Sequence, residues 1–189
     1  MSNETAVEMF VGGLLLDRNT QAPVVILKDE KGSITLPIWI GLAEATSIAS
    51  SLNQLPVSRP LTHDLMHDVL AQIGVVVQRI IITELKESTY YAELVVALGD
   101  KIHIFDTRPS DAIALALRFS APIFVTAQVL EQAKVVFQLA LPEGDPVPPA
   151  ASSEEESMAP QSGDFTHIEK DKWIEILNNL APDDFKYKM

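Results

Sequence analysis

The chain has 189 residues, 14 basic and 26 acidic side chains, a formal net charge of −12 and no cysteine. That length suits one domain with an appendage or two small domains, and a hydrophobic fraction of 47% excludes a wholly disordered chain. The absence of cysteine removes disulfides, thiolate zinc sites, iron–sulfur clusters and cysteine nucleophiles together.

The opening Met-Ser-Asn-Glu-Thr has no basic stretch leading into an apolar core. No apolar run approaches the roughly 18 residues that span a bilayer. The expectation is a soluble, cytoplasmic protein without a membrane partner. Residues 7–16 read as a strand broken by Gly12-Gly13, a bulge signal. Strands at 24–27 and 34–40 flank Asp29-Glu30-Lys31-Gly32, a hairpin turn. Residues 43–55 have helical composition, with Ile48 and Leu52 one turn apart. Thr62 is placed to cap a second helix reaching Ile73, closed by Gly74.

Strands at 75–85, 90–98 and 101–105 then form a meander, the last two joined at Gly99-Asp100. Pro109 suits the first position of a third helix, 110–119, apolar nearly all round and so expected to be buried. A short strand at 122–125 and a short helix at 128–134 complete the body. This order predicts an α+β fold, a largely antiparallel or mixed sheet with packed helices.

Residues 142–165 contain five prolines, several serines and Glu154-Glu155-Glu156, the composition of a flexible linker. Thr166-His167-Ile168-Glu169 matches a capping box, and Ile168, Trp173, Ile176, Leu177 and Leu180 fall on one stripe of a C-terminal amphipathic helix. The expected organisation is thus a domain at 1–141, a linker at 142–165 and a helix and tail at 166–189. One helix cannot fold alone, so it should dock on the body or on another subunit. Residues 1–141 carry 10 Lys/Arg and 15 Asp/Glu, and residues 142–189 carry 4 and 11. The basic residues are scattered, which argues against tight nonspecific duplex binding. Metal-assisted attack on phosphodiesters needs no basic patch, because carboxylates build such sites.

Two clusters carry candidate chemistry. In Asp106-Thr107-Arg108-Pro109-Ser110-Asp111, Asp106 shares a strand face with Ile102 and Ile104, which predicts a buried face. Two carboxylates, a guanidinium and helix N–H groups within six residues suit a divalent cation and a phosphate. From residue chemistry alone they suit a plain strand–helix corner locked by an Asp–Arg pair better. In Arg59-Pro60-Leu61-Thr62-His63-Asp64, His63 can ligate a metal or move a proton; Asp64 is also a favoured first-turn acid. His67 and Asp68, one turn on, read as a solvated face. Glu44 opens a helix, where dipole stabilisation suffices, or stands as a third carboxylate near a site. Trp39 and Tyr90-Tyr91 read as packing residues.

Leu36-Pro37-Ile38-Trp39-Ile40-Gly41 with Glu44-Ala45, Arg59 to Leu65, and Asp106 to Ala116 together resemble the bifunctional nuclease domain family across most of residues 1–135. The resemblance implies an α+β domain forming homo-oligomers, with nuclease activity toward DNA and RNA. Glu44, Arg59, His63, Asp64, Asp106, Arg108, Ser110 and Asp111 fall on family motifs; His67 and Asp68 do not. On this reading Asp106, Asp111, Asp64 and Glu44 would bind Mg²⁺ or Mn²⁺. Arg59, Arg108 and Ser110 would hold the nucleic acid, and His63 would move a proton. The competing reading is a non-catalytic oligomeric interaction or regulatory module, with the same motifs maintaining corners and an interface.

Overall fold

The structure, a computed structural model, describes residues 5–17, 20–55, 57–140 and 165–167. Their elements run β1 (Ala6–Asp17), β2 (Pro23–Lys28), β3 (Thr35–Trp39), α1 (Leu42–Asn53), α2 (Thr62–Gln72) and β4 (Val75–Lys86). Then come β5 (Thr89–Leu98), β6 (Lys101–Thr107), α3 (Pro109–Phe119), β7 (Ile123–Thr126), α4 (Ala127–Ala140) and β8 (Phe165–His167). Seven strands lie in the order β3-β2-β1-β7-β4-β5-β6, and β8 pairs with β1. All pairings are antiparallel except β4 with β7. That parallel pair is reached by the long crossover through β5, β6 and α3, as parallel neighbours require. The fold is α+β with a mixed sheet, as the element order implied.

Strand β1 ties the sheet together. Its first residues pair with β7 from Ala6↔Thr126 to Met9↔Ile123, and Phe10 to Leu16 pair with β2. The register slips between Val11 and Gly13. Gly13 adopts a φ of 149°, a conformation that a side chain would disfavour, so the Gly12-Gly13 bulge stands where it was expected. The β5–β6 turn likewise begins at Gly99 with φ 57°. The turn joining β4 and β5 is made by Glu87 and Ser88, both at positive φ. Neither residue type announces such a turn, which left its position open in the sequence.

Helix α3 is the centre of the helical layer, with Ala112, Ile113, Ala114, Leu115 and Ala116 buried. It packs on α1 and on strands β4 and β5. Ala45 and Ala49 of α1 and Ala112 and Ala116 of α3 are fully buried; such small residues let two helices approach closely. Ile48, Ile80, Ile82, Ile113 and Val125 fill the same core, where truncation of one side chain to alanine costs about 2–5 kcal/mol.

Four local expectations change. Thr62 is the first helical residue of α2, not its cap; Leu61 takes that position, and the Asp64 carboxylate accepts its backbone N–H at 2.8 Å. Helix α4 extends well beyond 128–134 at its C-terminal end. Thr166 is not the start of a capping box: it lies in β8, opposite Leu16 of β1, because an unpaired stretch of β1 offers backbone hydrogen bonds there. Residue 141 of the expected domain, residues 142–164 of the expected linker and 168–189 of the expected helix and tail lie outside the described residues. Most consequentially, the Ile102–Ile104–Asp106 face is not buried. Strand β6 is terminal in the sheet, and its residues are exposed up to Asp106. Among the described residues no helix is long and apolar enough to cross a membrane.

Candidate functional site

A cleft of about 1070 Å³ runs between α2 and the face of β5 and β6. Most of its wall is apolar: Met66 and Leu70 from α2, with Ile73 just after it, oppose Leu94, Val96 and Phe105 from the sheet. One end is polar, where Glu44 and Ser47 of α1, His63 of α2, and Asp106, Arg108 and Asp111 of the β6–α3 corner meet. The fold explains the convergence. Helices α1 and α2 both pack on α3, and Pro109 starts α3 directly after β6, so all three N-terminal regions face one place.

Arg108 and Asp111 form a two-pronged pair, Nε to Oδ2 at 2.7 Å and Nη2 to Oδ1 at 3.0 Å. Nη2 also lies 2.8 Å from Oε1 of the buried Glu44. The guanidinium is thereby held flat while the side chain stays 58% exposed. His63 Nε2 lies 3.1 Å from Asp111 Oδ1, and Nδ1 lies 2.9 Å from the Ser47 hydroxyl. With Asp111 ionised, Nε2–H donates to the carboxylate. In the neutral ring Nδ1 then accepts from Ser47, an assignment that follows from the partners. Burial raises the Asp111 carboxyl's affinity for a proton. The hydrogen bonds from His63 and Arg108, with their charges, outweigh this and leave its pKa below the usual carboxylate value.

A second arginine sits deeper. Arg118, 7% exposed, donates Nε to Asp64 Oδ1 at 2.6 Å, Nη1 to the Ala114 carbonyl at 2.8 Å and Nη2 to the Ser47 carbonyl at 3.2 Å. Partial burial pushes the Asp64 carboxyl's pKa up, yet Arg118 and the Leu61 amide pull it down on balance. Both of its oxygens are engaged within the fold.

The structure therefore brings together His63, Arg108, Asp111 and Glu44, and places Asp106 on the same cleft. Asp64 neighbours His63 but turns to Arg118. Ser110 is buried and lines a smaller hollow of about 280 Å³ with Trp39, Tyr90 and Arg108, on another side of the corner. Arg59 is exposed on the loop before α2 and is not part of the cleft wall. His67 pairs with Asp68 at 3.0 Å and rests on Phe119, on an open helix face. Trp39 is half exposed, and its indole N–H donates to Asp17 at 3.0 Å.

The carboxylates do not fit a resident divalent cation. Asp111 and Glu44 face Arg108, Asp64 faces Arg118, and no group of three or more His, Asp or Glu among the described residues is arranged to hold a metal ion. Ser47 and Arg118 were not among the sequence candidates. Arg118 had a signal, lying two turns after Asp111 on one helix face. Ser47 had none, since its partner is 16 residues away on another helix.

Comparison with known proteins matches residues 25–138 to the bifunctional nuclease domain. The uncharacterised protein Rv1829 of Mycobacterium tuberculosis is 36% identical over 179 residues, covering 95% of this chain and 98% of that protein. Bifunctional nuclease 2 of Arabidopsis thaliana is 28% identical over 117 residues, 60% of this chain and 36% of the plant protein. Bifunctional nuclease 1 of Oryza sativa subsp. indica is 29% identical over 109 residues, 56% of this chain and 33% of its own length.

Proposed function

The chain belongs to the bifunctional nuclease domain family, and we propose that it is a nuclease hydrolysing phosphodiester bonds of DNA and RNA at the polar end of the cleft. The observation that carries this reading is the Arg108–Asp111–His63 arrangement. A guanidinium fixed by carboxylates and a proton-carrying imidazole share one carboxylate in an opening wide enough for a nucleotide. Arg108 would meet the phosphate oxygens, where a planar donor set stabilises charge building up in the transition state. His63 would give or take a proton at Nε2, the bond to Asp111 yielding as the substrate arrives. Asp111 would keep the guanidinium and the imidazole in register with each other.

The body's scattered basic residues suit a short, weakly held stretch of single strand better than a long duplex. Mg²⁺ or Mn²⁺ would be held by Asp106 and the substrate phosphate together, the manner in which Mg²⁺ meets substrates when few protein ligands are on offer. Asp106 makes no hydrogen bond or ion pair among the described residues. A cytoplasmic location belongs to the same reading, as the cysteine-free composition suits a reducing compartment.

The test is cleavage of single-stranded DNA and RNA by protein freed of contaminating nuclease, with and without EDTA. His63→Gln and Asp111→Asn should each lower turnover about a hundredfold, with circular dichroism unchanged. Equal cleavage by wild type and both variants would show that the reaction lies elsewhere. The second reading, a non-catalytic module, draws on the closure of Asp64, Asp111 and Glu44 in ion pairs. A wild type without turnover in every metal condition would favour it.

A further inference from the structure

The smaller hollow that Ser110 lines takes no part in the chemistry proposed for the cleft. Helices α1 and α3 both begin at it: their N-cap residues, Gly41 and Arg108, belong to its wall. Neither N-cap side chain bonds the first amides. Each helix start therefore leaves backbone N–H groups without an intrahelical acceptor and carries a partial positive charge. Pro109 has no N–H to offer, and the Asp111 N–H folds back onto the Arg108 carbonyl at 3.1 Å. What α3 presents at its start is thus the amide and hydroxyl of Ser110. That residue is 6% exposed and lines the hollow, yet its hydroxyl makes no hydrogen bond among the described residues. A buried hydroxyl in that position is costly unless a ligand or water meets it.

The surroundings favour an anion. The cleft gathers Glu44, Asp106 and Asp111, whereas among the described residues no carboxylate lines the hollow and its ionised side chain is the Arg108 guanidinium. Trp39 and Tyr90 supply aromatic wall, and the bond from the Trp39 indole N–H to Asp17 holds that ring in place. We infer that the hollow binds a nucleoside 5′-monophosphate. Its phosphate meets Ser110 and the starts of α1 and α3 beside Arg108, and its base lies against Trp39 and Tyr90. The volume of about 280 Å³ is at the lower end of small-molecule sites, room for one nucleotide and not for a strand.

Arg108 belongs to both walls, so the two openings share one guanidinium. On the nuclease reading, from which this consequence follows, hydrolysis of a phosphodiester leaves a phosphate monoester on one product. The hollow then senses that class of product through the residue that meets the substrate. The binding site itself stands whether or not the chain is a nuclease, and its test is read without activity.

The chain has two tryptophans, so in full-length Trp173→Phe the fluorescence reports Trp39. Adenosine 5′-monophosphate should quench it saturably below millimolar concentration. Adenosine should bind about tenfold more weakly for want of the charged group, and inorganic phosphate should displace the nucleotide. Ser110→Ala should weaken nucleotide binding about fivefold. Thr89→Glu, which sets a carboxylate at an exposed position of the wall, should weaken it about tenfold, both with unchanged circular dichroism. Met66→Ala, in the wall of the cleft, should leave the affinity within about twofold. No saturation at millimolar nucleotide, or adenosine binding as tightly as its phosphate, would overturn the proposal. So would an affinity that falls in Met66→Ala and in neither of the other two, since the nucleotide would then lie in the cleft. Binding by a protein without turnover would sink the nuclease reading alone, and turnover without binding would sink this one alone.

Discussion

Two arginine–aspartate pairs sit within one helical layer and differ mainly in burial. Arg118 with Asp64 lies inside, its guanidinium bound to two helix carbonyls as well as the carboxylate. Arg108 with Asp111 lies at the cleft wall, most of its side chain in solvent. Out of water a charge must keep its partner, so the inner pair can only hold α1, α2 and α3 together. At the wall water already competes for each hydrogen bond, and a phosphate can compete on the same terms. The same chemistry is a fastening in one place and a receptor in the other.

The sharpest way to break this contrast is to remove each guanidinium in turn. Arg118→Met strands the Asp64 carboxylate and should cost about 3 kcal/mol of stability, which lowers Tm by roughly 6–12 °C for a chain of this size. Thermal unfolding followed by circular dichroism checks it. Arg108→Gln should show the reverse pattern. Cleavage of single-stranded substrates should fall about a hundredfold, equivalent to about 2.7 kcal/mol in the transition state, with Tm within a few degrees of wild type. If Arg108→Gln unfolds the protein as readily as Arg118→Met, the outer pair is another fastening and the receptor reading of Arg108 fails.

The two pairs were unequally legible in the sequence. Asp111 and Arg108 are three residues apart at a strand–helix corner, so local spacing brings them together without knowledge of the fold. Arg118 and Asp64 are 54 residues apart, and only the packing of α2 on α3 joins them. For that reason Asp64 read as a first-turn acid or a metal ligand, with no cation assigned to it. The strand and helix order was legible because hydrophobic period, Gly12-Gly13, Gly74, Gly99 and Pro109 each act within a few residues. The exposure of β6 was not. The alternation of Ile102 and Ile104 on one face reads as a half-buried strand, and its place at the sheet edge is decided by which strands pair elsewhere.

Acid sharpens the comparison further. Asp64 and Asp111 both have pKa values below the usual carboxylate range in the folded protein. A depressed folded pKa contributes stability that is fully present above the unfolded value, about 3.9, and is lost as pH falls through the folded one. Tm should therefore be level from pH 7 to about 5 and fall below about 4. In Arg118→Met the acid limb should flatten, because Asp64 loses its principal cation. In Arg108→Gln it should flatten less, because His63 still holds Asp111. Equal acid limbs in all three proteins would mean that neither pair sets the acid stability.

Ser47 touches both sites, its carbonyl accepting from Arg118 and its hydroxyl bonding His63. Ser47→Ala removes the second contact and leaves the first, so it separates them within one residue. A hydroxyl bond of this kind contributes about 1 kcal/mol, which predicts about a fivefold fall in kcat, with KM and Tm little changed. Loss confined to kcat would mean that the hydroxyl fixes the ring whose proton moves. A rise in KM alone would place Ser47 in substrate binding, and a fall in Tm alone would return it to the buried framework, leaving the orientation of His63 to Asp111.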